Sequence, residues 1–287
     1  MKTICIKTNN KNSIDYLLKK LDQIELKNVY FSCHKFKTFN NILIHYKGEY
    51  LELFLSNIAE ILTSLIFENY DEDILKTLLH REYFYFTDLE IKRILKILKE
   101  NSIEDVKLYT TKENILYNIF YNFLKNKNKL FLKGFITFRL KSYKEELERS
   151  IDSAVNQYLI EKEYNEFVSL LKLYINSEDC KCNEVHLVYR NSESILLDQN
   201  KHLIKPANSL NNKKYLSDIS FSSSDIVLNT LLNLIPNKIF IHLIDMEIDD
   251  FIHTLELIFE KRVVICTNCS ICRIYKLGKN LKYSKLN

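Results

Sequence analysis

Hydrophobic positions recur along this chain with two periods, and the places where the period changes divide it. Residues 2 to 8 alternate, with Ile4 and Ile6 on one side, which predicts a strand. Ser13, a suitable N-cap, opens a short helix to about Ile24. Val29 to Phe36 and Ile42 to Tyr46 read as strands joined by the polar turn at Phe39 to Asn41. From Glu49 to about Asn176 the period is helical: Leu51 to Phe67, Glu72 to Leu79, Asp88 to Lys99 capped by Thr87 or Asp88, Lys112 to Lys125, and the long stretch Leu132 to Ile175. In that stretch Phe135, Phe138, Tyr143, Leu147, Ile151, Ala154, Val155 and Tyr158 share one face. After a polar corner at Glu161 and Lys162 the pattern resumes with Tyr164, Phe167, Leu170, Leu171 and Tyr174, predicting two helices packed antiparallel. The run Tyr83, Phe84, Tyr85, Phe86 reads as a buried connector.

A polar stretch, Ser177 to Asn183, marks a boundary, and a β-rich section follows. Val185 to Tyr189 and Ile195 to Leu197 read as a hairpin, Ser222 to Leu234 as a helix capped by one of its serines, and Lys238 to Ile244 as a buried strand introduced by Pro236. Asp249 to Glu260 is a helix and Arg262 to Cys266 a strand. Strand, helix, strand implies a right-handed crossover with the two strands parallel. Their carboxyl ends, carrying Asp245 and Cys266, then share the sheet edge where ligands bind in open α/β sheets. The expected fold is α+β: a small α/β unit at 1–48, a helical domain at 49–178, and a C-terminal α/β domain with a short mixed sheet at 179–287.

Composition narrows the chemistry. Hydrophobic residues make up 46% of the 287, enough for a substantial core. Three glycines are too few for the phosphate-cradling loops of nucleotide enzymes, which need several close together. The net charge of +4 comes from 41 basic and 37 acidic residues, a poor footprint for nucleic acid. Lys125, Lys127, Lys129 and Lys133 form a local basic cluster whose simplest reading is a solvated surface. The start MKTICIKT lacks an apolar signal region, and the most apolar window, Leu51 to Phe67, is broken by Glu52, Asn57 and Glu60. A cytoplasmic protein without membrane insertion is expected, in which the 7 cysteines stay reduced.

Those cysteines carry the sharpest chemical signal. Cys266, Cys269 and Cys272 stand at two-residue gaps after a strand, and Cys180 and Cys182 form a second pair about ninety residues earlier. Thiolates so spaced wrap one tetrahedral zinc or, less favourably, cap an iron–sulfur cluster, with a fourth ligand from Cys180, Cys182, Asp245 or a histidine. Packed or partly exposed reduced thiols and reversible disulfide chemistry remain the alternatives. Cys5 and Cys33 read as small core residues, and His242 as a packed strand residue. Glu145, Glu146, Glu148, Glu161, Glu163 and Glu166 lack a Glu-x-x-His partner motif and read as a solvated face. Arg139, between Phe138 and Leu140, is expected to form an ion pair with a neighbouring helix.

GFITFRLKSYKEELE followed by SAVNQYLIEKEYNEFVSLLK resembles the central segment of the YtxC-like family, sporulation-associated proteins of endospore-forming bacteria. The runs Phe138 to Leu147 and Glu161 to Phe167 carry the likeness. The resemblance implies a setting, a sporulating bacterial cell, and supplies no catalytic residues. The first reading is therefore a non-enzymatic interaction or scaffold protein with a protein partner and a structural metal at Cys266, Cys269 and Cys272. A thiol- or metal-dependent enzyme or redox sensor is the second, and a weak nucleic-acid binder the third.

Overall fold

A computed structural model describes residues 1–104, 106–191, 193–205, 222–245 and 247–277, and the side chains within them other than those of 102–109. The fold is α+β, with helices predominating over two four-stranded sheets, and the chain divides into two compact units, Met1–Glu161 and Lys162–Asn287. Among the described residues no helix is long and apolar enough to cross a membrane.

In the first unit β1 (Lys2–Thr8) lies between β3 (Phe39–Tyr46), antiparallel, and β4 (Lys129–Phe131), parallel, while β2 (Val29–Phe36) forms the outer hairpin strand on β3. Strand β4 falls inside the lysine-rich connector, where three residues are too few to show a period. Helix α1 (Lys11–Asp22) begins two residues before Ser13, because Asn10 caps it by accepting the Ser13 N–H at 3.1 Å. Helices α2 (Leu51–Asn69), α3 (Asp71–Glu82), α4 (Asp88–Glu104) and α5 (Val106–Asn126) follow the predicted periods, and Thr87 and Glu90 cap α4 reciprocally. Strand residues Ile4, Ile6, Ile42 and Ile44 share one buried cluster with Leu17 of α1, Phe54 and Leu62 of α2, and Phe120 of α5. The β3–α2 junction needs Gly48: Tyr46 stacks on Phe54 at 4.8 Å between centroids, and a Cβ on residue 48 would sit 2.2 Å from the Tyr46 Oη.

The stretch Leu132 to Ile175 differs from its prediction in two ways. A short helix α6 (Leu132–Phe138) ends at Arg139, and α7 then runs unbroken from Lys141 to Ser177. Because α6 stops there, Phe138 is left 81% exposed instead of joining the core face. No antiparallel turn forms at Glu161–Lys162: neither Gly nor Pro stands there, and Gln157 Nε2 donates to Glu161 Oε1 at 3.0 Å along the helix surface. The aromatic connector is only half buried; Phe84 and Tyr85 face solvent, while Tyr83 donates to Asp152 and Phe86 packs edge-on to Tyr158.

In the second unit the sheet order is β6 (Glu193–Asp198), β5 (Cys182–Arg190), β7 (Pro236–Leu243), β8 (Val263–Cys266). The hairpin β5–β6 is antiparallel, whereas β5–β7 and β7–β8 are parallel, as the crossover through α9 (Asp250–Phe259) requires. One face, through Val185, Leu187, Ile239 and Ile241, packs on α8 (Ser223–Leu234), α9 and the end of α7. The other face gathers Val188, Leu197 and Ile244 under α10 (Ser270–Leu277), with Ile271 and Cys272.

Candidate metal centre

Strand alternation sends Ile239, Ile241 and Leu243 of β7 to the helix-covered face, which turns His242 to the opposite one. The parallel register sets Cys266, the last residue of β8, beside His242. The chain then turns, and α10 starts at Ser270, so Cys269 precedes the first helical turn and Cys272 lies within it, buried against the sheet. The Arg273 N–H donates to the Cys269 carbonyl at 3.0 Å, closing that turn.

These elements bring four donors together. Ligand atoms of His242, Cys266, Cys269 and Cys272 all lie within 4.8 Å of one another, close enough to hold a metal ion. His242 Nδ1 is 3.3 Å from Cys269 Sγ and 3.4 Å from Cys272 Sγ, and Cys272 Sγ is 3.7 Å from Cys269 Sγ and 3.9 Å from Cys266 Sγ. Zinc bond lengths to thiolate and imidazole give tetrahedral edges of about 3.8 Å for S to S and about 3.5 Å for S to N. The four distances match those edges. A cluster of several irons would have to stand between the sulfurs and force them farther apart, so the spacing suits a single ion.

The imidazole is itself held. His242 Nε2 lies 3.0 Å from His186 Nδ1 on β5, and His186 Nε2 faces Glu184 Oε1 at 3.7 Å. With Nδ1 turned to the thiols, the His242 proton belongs on Nε2, donated to His186, and the His186 proton then points toward Glu184. Burial, with His186 and Lys201 adding to it, lowers the His242 pKa to about 4, so the ring is neutral as a ligand must be. Burial pushes the Cys272 thiol up to about 11. At Cys269 burial acts upward too, but N–H groups of Cys272 and Ile271 and neighbouring thiols outweigh it, and the net shift is downward.

The structure does not bring Cys180 or Cys182 to this group. Cys182 pairs with Pro236 at the far end of β7, about 20 Å from His242 at the rise of a strand, and its thiol donates to the Leu234 carbonyl. Cys180 is exposed and accepts from Arg262 Nη1 at 3.5 Å. Asp245 faces Arg190 at 3.6 Å. Cys5 and Cys33 are half-buried strand residues. Glu145, Glu146 and Glu148 are bridged by Lys141, Arg149 and Arg81, whereas Glu163 and Glu166 are exposed. Among the described residues the expected ion pair of Arg139 does not form: the side chain is exposed at the break between α6 and α7, its guanidinium over the Phe123 ring at 5.9 Å. His242 is the donor that sequence reasoning passes over. Aligning the carboxyl ends of β7 and β8 in parallel is the signal that puts it beside Cys266.

The sequence model of the YtxC-like family matches residues 56–264, which includes His186 and His242 and ends two residues before Cys266. The chain is 24% identical over 139 residues to a Bacillus subtilis (strain 168) protein named "Uncharacterized protein YtxC", covering 46% of this chain and 49% of that one. It thus spans about half the length of this curated relative. No solved structure matches the chain. With well over half of its residues matched by the family's sequence model, the chain belongs to the YtxC-like family.

Proposed function

We propose that this is a cytoplasmic sporulation protein that works by binding a protein partner, and that its group of one histidine and three cysteines holds one structural zinc ion. The agreement of four donor distances with tetrahedral zinc edges carries the metal reading. Four protein donors complete the coordination and leave no position for water or substrate, the character of a structural rather than a catalytic zinc site. The ion would tie α10 and the Cys266–Cys269 turn to β7, giving the carboxyl edge of the sheet a fixed surface for a partner. The sporulation setting rests on the family resemblance alone.

The test is elemental analysis of protein purified without a metal-binding tag, with cobalt substitution as a spectroscopic readout. About one zinc per chain, and the intense visible bands of a tetrahedral thiolate site with cobalt, both lost in Cys269→Ser, are expected. Metal-free protein that also fails to take up added zinc overturns the reading.

A further inference from the structure

The segment Leu132 to Leu147, whose second part from Phe138 carries the family likeness, takes no part in the candidate metal centre, yet it lines a cavity in the first unit. Lys133, Ile136, Thr137 and Lys144 come from that segment, and α3 supplies Ile74, Leu78 and Arg81. The cavity holds about 310 Å³, at the lower end of the range for small-molecule pockets. Its lining is largely apolar, with three cationic side chains and one acid, Asp73.

The charge there is unbalanced. Arg81 is engaged by Glu82 at 2.6 Å and by Glu148 at 2.8 Å. Among the described residues, Lys133 and Lys144 have no carboxylate within ion-pair distance. Lys144 Nζ donates instead to the Thr137 carbonyl at 2.9 Å, which satisfies a hydrogen bond without neutralising the charge. Burial lowers the Lys144 pKa, Arg81 adds to the effect, and Glu148 offsets part of it. A half-buried ammonium with no carboxylate at ion-pair distance, lining an apolar hollow, is the arrangement that an anionic head on an apolar body would complete.

We propose that this cavity binds a small amphipathic anion, its carboxylate or phosphate head between Lys133 and Lys144 and its apolar body against Ile74, Leu78 and Ile136. The site is separate from the metal centre and stands or falls without it. The shared chemistry fits a free metabolite and the end of a membrane lipid alike.

The experiment is a titration of the full chain with octyl phosphate, followed through the isoleucine methyl resonances, with octanol and inorganic phosphate as controls. Saturable binding that shifts the Ile74 and Ile136 methyls is expected, weakened about tenfold or more in Lys144→Met and in Lys133→Met. Lys133 is exposed, so its variant tests the head contact without disturbing the core, and Lys125→Met, outside the cavity, should bind as the parent does. Competition by vesicles of phosphatidylglycerol would identify the anion as a lipid head, and failure to compete would identify it as a free small molecule. No saturable binding, octanol binding as tightly as octyl phosphate, or lysine variants binding like the parent would each overturn the proposal.

Discussion

Single side chains would decide how well the proposed metal centre holds its ion, and the one singled out by geometry outside the four donors is His186. Its acceptance of the His242 Nε2 proton fixes the ring with Nδ1 free toward the thiols. Outer partners of this kind typically change metal affinity by about 10- to 100-fold. His186→Ala should lower zinc affinity by that order in competition with a chromophoric chelator, and His186→Gln, which keeps an acceptor, should recover part of it. Equal affinities in all three proteins would show that the contact is incidental. In the first unit the corresponding residue is Asp71, which accepts a hydrogen bond from the Tyr143 hydroxyl. Burial raises its pKa above the ordinary 3.8, with Tyr143 and Lys112 acting the other way. A carboxyl whose folded pKa is raised favours the folded state below its ordinary value and loses that contribution as pH rises through the folded value. Asp71→Asn, which still accepts from Tyr143, should therefore gain stability relative to the parent as pH rises from about 4 toward 7. Urea midpoints whose difference stays constant over that window would contradict the assignment.

At the scale of elements, the task of an ion bound as proposed would be to hold α10. That helix has eight residues, too short to persist in water by itself, and only Ile271 and Cys272 of it are buried. Removing the metal should leave β5 to β8 paired and release α10, so chelation should sharply raise amide exchange over 267–277 while exchange in β1 and β3 stays unchanged. Protection of α10 that survives chelation would mean that packing suffices. The elements also show where sequence is legible. Helices α2 to α5 and the β7–α9–β8 crossover follow from period and connection, because each buries one face of a regular element. Strand β4 and helix α10 escape a reading by period because three residues and eight residues carry too little of it. The break at Arg139 and the continuity through Glu161 run opposite to the expectation, since apolar spacing alone does not register where backbone hydrogen bonds stop. The three clustered thiols are visible in sequence, but their histidine is not, since it lies on another strand and is brought beside them by register.

Over the whole molecule, the buried residues fall into separate clusters: one lies in the first unit, and the sheet of the second has one on each face. A ligand that binds only the folded second unit stabilises that unit by mass action. At a zinc concentration about a thousandfold above its dissociation constant the gain is about 4 kcal/mol, which for a unit of this size moves a thermal midpoint by on the order of 10 °C. Differential scanning calorimetry with zinc and with chelator should show one transition shifted by that order and another left in place. Cys269→Ser should lock the sensitive transition at its chelated position. The stationary transition should respond instead to Phe120→Ala, which empties a fully buried site in the first core and costs about 3 to 5 kcal/mol. If both transitions moved together with zinc, the ion would be coupled to the whole chain, and its role could not be confined to the carboxyl edge of the second sheet.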